Sequence, residues 1–238
     1  MKLDILAVGA HPDDVELGCS GTLMKHISLG YKAGIVDLTQ GELGTRGTIK
    51  DRRKEAVSAS KIMGVHAREN MRFKDGFFQN DKEHQLELIK MIRHFQPKIV
   101  FGNAQFDRHP DHARAAQLVY DACFIAGLPK VETKYKGKQQ KAFRPVALYH
   151  YIQALHTEPD FCVDITKFFN KKMEAVLAYQ SQFYNPSSKE PETFISTKGF
   201  LEFVKSRSIH FGIPIGVQYA EAFTVNRTVG VEDVTKLL

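Results

Sequence analysis

Through the first half of the chain, short apolar runs rich in β-branched residues alternate with longer amphipathic stretches, and this constrains the fold more than any other feature. Such alternation is the pattern of βαβ units, in which each helix crosses over to the next strand of a parallel sheet. Strands are expected at 3–9, 32–38, 68–73 and 98–102, with helices at 20–30, 50–63 and 83–95 between them. Leu86, Ile89, Ile92 and Phe95 make the clearest helical stripe. A fourth helix is expected to open at Pro110, a residue type favoured at the first helical position, and to run through Ala113, Ala116, Leu118 and Val119.

The later part is less regular. Strands are expected at 146–152 and 161–165, and helices at 166–180 and 198–210, separated by the Pro/Ser-rich stretch 185–191. A length of 238 residues suits one sizeable core. The expected fold is therefore α/β: a single domain with a Rossmann-like, mostly parallel sheet flanked by helices. Residues 1–125 would form its βαβ core and 145–238 its less regular C-terminal part.

Composition narrows the function classes without naming one. Hydrophobic residues at 43% and charged residues at 25% are those of an ordinary soluble globular protein. The opening MKLDILAV is too short for a signal-peptide core and soon meets His11, Asp13 and Asp14, and no stretch approaches the roughly 20 apolar residues of a membrane span. A cytoplasmic protein with no membrane partner is expected. Cys19, Cys123 and Cys162 form neither a CxxC pair nor a disulfide framework and read as buried small hydrophobes. The net charge of +6 is spread along the chain, and the densest basic run (Lys134, Lys136, Lys138 and Lys141) reads as a solvated loop, so no nucleic-acid partner is expected.

Ligands of such a sheet bind at the carboxyl ends of its strands. His11-Pro12-Asp13-Asp14 follows the first expected strand, and His109-Pro110-Asp111-His112 follows the fourth. In a turn entering a helix, residues three apart share a side, so His11 and Asp14, joined by His112, would supply two imidazoles and a carboxylate. Two histidines and one carboxylate leave a coordination position for water, as in catalytic zinc sites, and the same trio also suits ferrous iron. The spare carboxylate of Asp13 favours hydrolysis, because a base beside a metal-held water can take its proton. A lone His-Pro-Asp segment is ordinarily a turn; two of them, each placed after a strand, point to a metal site.

AVGAHPDDVELGCSGTL together with FDRHPDH resembles the LmbE-like, or PIG-L-type, N-acetylglucosaminyl deacetylase family. The similarity continues through LTQGELGTRG, the helix from Arg52 to Gly64 and KDGFF, covering at least residues 3–115. The tail with YQSQF and YAEAF resembles the branch that deacetylates N-acetylglucosaminyl-malate in bacillithiol synthesis.

The resemblance implies one zinc ion per chain on His11, Asp14 and His112, with Asp13 as general base. It implies His109 as oxyanion stabiliser, kept protonated and oriented by Asp111. It further implies Arg52, Asp75 and Glu42 as substrate-binding residues, a small amino-sugar substrate, and a homo-oligomer, hexameric in the branch. The malate version, other N-acetylglucosamine conjugates (chitin oligomer, mycothiol-type or antibiotic intermediate) and a polyanion-binding Rossmann-like domain all remain open at this point. The GELGTRG loop lacks the GxGxxG and GxxxxGK[ST] spacings of nucleotide sites. Some relatives carry a tyrosine two residues before the first His of HPDH, where this chain has Asp107. Tyr184, Phe194, Tyr219 and Phe223 are candidates either for a sugar-binding wall or for core packing.

Overall fold

The computed structural model describes residues 1–237; Leu238, the last residue of the expected C-terminal part, lies outside the described residues. The first half runs β1 (Ile5–Gly9), α1 (Asp14–Ser28), β2 (Ala33–Thr39), α2 (Ile49–Met63), β3 (Ala67–Phe73), α3 (Lys82–Phe95), β4 (Ile99–Gly102) and α4 (Pro110–Ile125). A small hairpin, β5 (Lys134–Tyr135) and β6 (Lys138–Gln139), then precedes β7 (Ala147–Tyr151), β8 (Phe161–Asp164), α5 (Phe169–Leu177), α6 (Phe200–Gly212) and β9 (Ala220–Val225).

One seven-stranded sheet in the order β3-β2-β1-β4-β7-β9-β8 spans the molecule. Its first five strands are mutually parallel, and β9 runs antiparallel to both β7 and β8. The expected mostly parallel α/β fold is present, with β9 as an addition. Its sequence AEAFTV holds a charge and few β-branched residues, so periodicity did not reveal it.

Every residue of β1 and β2 is buried because helices cover both faces of the sheet. Alternate side chains take opposite sides. Leu6, Val8, Val36 and Leu38 pack with Leu88, Ile92, Leu118 and Val119 of α3 and α4. Ile5, Ala7 and Ile35 pack with Val15, Cys19, Leu23 and Phe223 on the other face. β1 lies between β2 and β4, so the connections leaving β1 and β4 part in opposite directions. A crevice opens at their carboxyl ends, and it is there that the two His-Pro-Asp segments stand.

Local signals set the helix boundaries. Thr48 and Asp51 form a capping box at the start of α2, Gly64 closes it at φ 71°, and Asp81 caps α3. The helix expected at 20–30 begins earlier, at Asp14, and is broken at Cys19, where φ is −146° and ψ 17°. The break strands backbone groups inside the protein, and the C-terminal part supplies their partners. Gly21 and Thr22 N–H donate to the Glu221 carboxylate at 2.9 and 2.6 Å, while Leu17 O accepts from Lys172 Nζ at 2.9 Å and Arg207 Nη2 at 2.8 Å. Lys172 and Glu221 pair at 2.6 Å with side chains only 1% and 2% exposed. Gly18 lets this kinked helix reach β7: a Cβ there would stand 2.2 Å from the Tyr151 ring.

Cys19 and Cys123 are buried as expected, whereas Cys162 is only half-buried. Lys134, Lys136, Lys138 and Lys141 are exposed on and beside the small hairpin. No described helix is long and apolar enough to cross a membrane.

Lys172→Met leaves the Glu221 charge buried without its cation, at an expected cost of about 3–5 kcal/mol in unfolding free energy. A urea titration checks this, and an unchanged midpoint would mean that the freed N–H groups of α1 alone hold the carboxylate.

Candidate active site and metal centre

His11 and Asp14 come from the turn between β1 and α1, and His112 from the first turn of α4. Their side chains meet at the bottom of the crevice. Asp14 Oδ1 lies 3.0 Å from His112 Nε2, and Asp14 Oδ2 lies 3.5 Å from His11 Nδ1. The ring of His109 stands beside both histidines, with centroids 4.7 Å from His11 and 5.0 Å from His112. Ligating atoms of the three histidines lie within 4.8 Å of one another.

Each imidazole of the trio has its outer nitrogen tied to a carboxylate. His11 Nε2 lies 2.9 Å from Asp75 and 3.3 Å from Asp111, and His112 Nδ1 lies 2.5 Å from Asp107. The inner nitrogens, His11 Nδ1 and His112 Nε2, are thereby turned toward Asp14. Carboxylates behind histidines that face a third donor are the arrangement that orients metal ligands and raises their basicity. The donors fit a divalent cation held by His11, Asp14 and His112. Within 4.8 Å, His11, Asp75 and Asp111 also converge, but they share the His11 nitrogen that faces away from Asp14, so we read those acids as its supports.

Without a cation, protons fill the gap. Burial pulls the His112 pKa down, yet the Asp14 charge and the Asp107 bond outweigh it and carry the group up to about 9. His11 is raised too, against burial, by its bonds to Asp111, Asp14 and Asp75. Burial raises Asp14, but the charge on His112 and bonds from both histidines hold it well below the usual carboxylate range. A cation must displace these protons.

Asp13 occupies the N-cap position of α1 at φ 116°, a left-handed conformation that strains a non-glycine residue. Its side chain caps nothing and lines the cavity. Burial pushes its carboxyl up to about 7, against the Arg52 guanidinium 3.5 Å away, and a bound cation would draw it down again. His109 is the N-cap of α4, and its Nδ1 accepts the Asp111 N–H at 3.2 Å, which leaves Nε2 to carry the proton. Burial lowers the His109 pKa.

Several expectations need correction. The Asp111 carboxylate does not bind the His109 ring: it faces His11, accepts from Gly76 N–H at 2.8 Å and pairs with Arg114. The helix start requires the Asp111 backbone N–H at His109, and this turns its side chain the other way. The His109 ring is thus oriented by the backbone of the helix start and not by the Asp111 carboxylate. Arg52 lines the cavity, donating to Pro12 O at 2.8 Å and to Gln182 beside Asp13, while its Nε has no partner among the described residues.

Asp75 lines the cavity, but its oxygens are taken by His11 and by Leu43 N–H at 3.0 Å. Glu42 struts the loop, accepting from Asp75 N–H at 2.8 Å and Gln40 N–H at 3.2 Å. In the GELG loop, Gly41 at φ 65° makes room for Arg52, since a Cβ there would come within 2.9 Å of its Nη1. Phe194 lines the cavity; Phe223 belongs to the core, Tyr219 stacks on Phe169 and Tyr184 is exposed elsewhere.

Sequence reasoning missed Asn103 and Gln153. Asn103 Nδ2 donates to Asp14 Oδ2 at 3.0 Å, and Gln153 Nε2 to Asp14 Oδ1 at 2.9 Å. Both stand just past strand ends, so the carboxyl-end rule, applied to amides as well as acids, marks them. The cavity above holds about 430 Å³. Arg108 lies exposed on its wall, with its guanidinium 4.4 Å above the Phe194 ring.

A mostly parallel sheet with buried histidines and carboxylates at its switch point defines the class: an α/β protein with a metal-type centre. The chain belongs to the PIG-L family, whose pattern, described as GlcNAc-PI de-N-acetylase, matches residues 6–123. Its class is thus that of the deacetylases, which hydrolyse an amide C–N bond. A crystal structure of a conserved protein from Thermus thermophilus is 38% identical, covering 97% of this chain and 98% of that one, with a TM-score of 0.85. Diacetylchitobiose deacetylase of Thermococcus kodakarensis is 27% identical over 229 residues, 91% of this chain and 80% of the relative. A probable N-acetyl-alpha-D-glucosaminyl L-malate deacetylase 2 of Bacillus anthracis is 26% identical over 75% of this chain and 81% of its own length.

Because His112 is protonated below about pH 9, metal affinity is expected to fall with falling pH, about tenfold per pH unit for each proton displaced. Competition with a chelator of known affinity across that range measures the slope; a flat profile would contradict the assignment of His112 as a ligand.

Proposed function

We propose that the chain is a zinc-dependent N-deacetylase acting on a small N-acetylglucosamine conjugate, with N-acetylglucosaminyl-malate of bacillithiol synthesis as the preferred substrate. The observation that carries this reading is an uncapped carboxylate, Asp13, placed beside the His11, Asp14 and His112 trio on the wall of a sugar-sized cavity. The donor set supports one zinc ion per chain, and the neighbouring base favours hydrolysis over the oxygenase chemistry that ferrous iron would bring. Bound there, the ion supplies Lewis acidity and lowers the pKa of a water molecule.

The residues then divide the work. Asp13 takes a proton from the attacking water, with Arg52 and Gln182 holding the region in place. His109 donates Nε2–H to the oxygen of the acetyl carbonyl as it gains negative charge. When the C–N bond breaks, the sugar nitrogen keeps the bonding pair and takes the proton back from Asp13, leaving acetate and a free amine.

Arg108 supports an anionic aglycone. Among the described residues no carboxylate pairs with it, and the Phe194 ring holds its fork at the cavity wall. A homo-oligomer, hexameric as the resemblance implies, is the proposed assembly; exposed Leu43, Phe77 and Phe106 support a protein contact.

Purified protein is expected to release acetate from N-acetylglucosaminyl-malate or diacetylchitobiose and to stop when a chelator is added. Asp13→Asn should bind zinc normally yet lose roughly 10²–10⁴-fold in kcat. No acetate from either substrate with zinc bound would end the deacetylase reading. For Arg108→Gln, the ratio of kcat/KM for the malate conjugate to that for diacetylchitobiose is expected to drop about tenfold or more. An unchanged ratio would favour the neutral-sugar substrates.

A further inference from the structure

The end of β7, outside the span that the family pattern matches, reaches into the metal centre through three consecutive residues. Gln153 donates Nε2–H to Asp14 Oδ1 at 2.9 Å, and its own Oε1 accepts from Asn103 Nδ2 at 3.0 Å and Ala104 N–H at 3.1 Å. Ala154 and Leu155 N–H both donate to Asp107 Oδ1, at 3.0 and 2.9 Å, while Asp107 Oδ2 faces His112 Nδ1. Two ligands from different loops, Asp14 and His112, are thus held from a single turn of backbone. That turn is itself fixed, because the half-buried Arg207 donates to Gln153 O and to Leu17 O.

We propose that Gln153 and Asp107 are positioning residues: a clasp on residues 153–155 that fixes which oxygen of Asp14 and which nitrogen of His112 face the cation. This rests on reading His11, Asp14 and His112 as the ligands.

The chemistry is specific to these side chains. With Asp107 Oδ1 taken by two backbone N–H groups, Oδ2 accepts the Nδ1 proton of His112, and Nε2 keeps its lone pair for the ion. A tyrosine, found here in some relatives, could not accept two backbone N–H groups through one oxygen and the His112 N–H through another. Gln153 is matched as closely. Its amide nitrogen faces the carboxylate ligand and its carbonyl faces two donors, so neither a flipped amide nor a glutamate reproduces both sets.

Asp107→Asn tests the clasp almost without change of shape. An amide that keeps its oxygen on the two backbone N–H groups turns its NH2 toward His112 Nδ1, which favours the tautomer with the proton on Nε2, the nitrogen the cation needs. Gln153→Met keeps the length and removes the bonds. Zinc affinity is measured by chelator competition, and apo stability by urea unfolding. Cobalt(II), substituted for zinc, reports ligand geometry through its visible absorption.

Zinc affinity is expected to weaken about 10–100-fold in each variant. The apo Asp107→Asn midpoint should stay near that of the wild type, and the cobalt spectrum should change. Affinity within about threefold of the wild type in Asp107→Asn, below the range expected for an outer-shell carboxylate, would overturn the proposal. So would weakened binding fully matched by lost apo stability, with the cobalt spectrum unchanged. If Gln153→Met does not fold, Asp107→Asn decides alone. A wild-type chain that binds no zinc or cobalt would instead refute the ligand assignment from which the proposal starts.

Discussion

The Asp14 carboxylate is the point on which the site turns. It accepts from His11 N–H, Asn103 and Gln153, and has the imidazoles of His11 and His112 on its remaining sides. A carboxylate buried this deeply is costly unless donors surround it, and here they come from the ends of three parallel strands, β1, β4 and β7. The strand order makes that possible. Since β1 separates β2 from β4, the two motif loops part above it, and the acid between them can meet groups from both sides.

The same economy of buried charge explains the irregular C-terminal part. The break in α1 at Cys19 exposes backbone donors and an acceptor inside the protein, and the Lys172–Glu221 pair with Arg207 satisfies them. Arg207 also binds Gln153 O, so the support of the helix break and the support of the metal ligands share one guanidinium. Burial lowers the Arg207 pKa to about 10, still well above neutrality, and the guanidinium keeps its charge beside the cavity. The antiparallel strand β9 exists in this setting to deliver Glu221: Ala220, Ala222 and Phe223 pack while the acid between them reaches α1.

Much of the fold was legible because local periodicity and caps agree with the tertiary arrangement. β1, β2, β4 and helices α2 to α4 fall close to where alternation and Pro110 place them. The strand β9 and the early start of α1 were not legible, since each depends on a distant partner: Glu221 serves a helix 199–200 residues away in sequence. In the site, His11, Asp14 and His112 come together from motif and strand order alone. Asp75, Glu42 and Asp111 were matched to substrate or oxyanion roles, and the structure spends their carboxylate oxygens on neighbouring groups, whereas Arg52, at the cavity wall, keeps one N–H without a partner among the described residues. Residue type and register fix that an arginine or acid stands near the cavity; only the packed loops fix which way its fork or carboxylate points.

By itself, the sequence determined the parallel α/β class and the convergence of the HPDD and HPDH segments, because spacing within a strand-loop-helix unit is a local property. Only the tertiary structure decided which donors complete Asp14 and His112. Gln153 reaches Asp14 across a gap of 139 residues, and the backbone of Ala154 and Leu155 reaches Asp107, the support of His112, across gaps of 47–48 residues. Such contacts arise when separate strands are laid side by side, and the chain carries no local periodicity that records them.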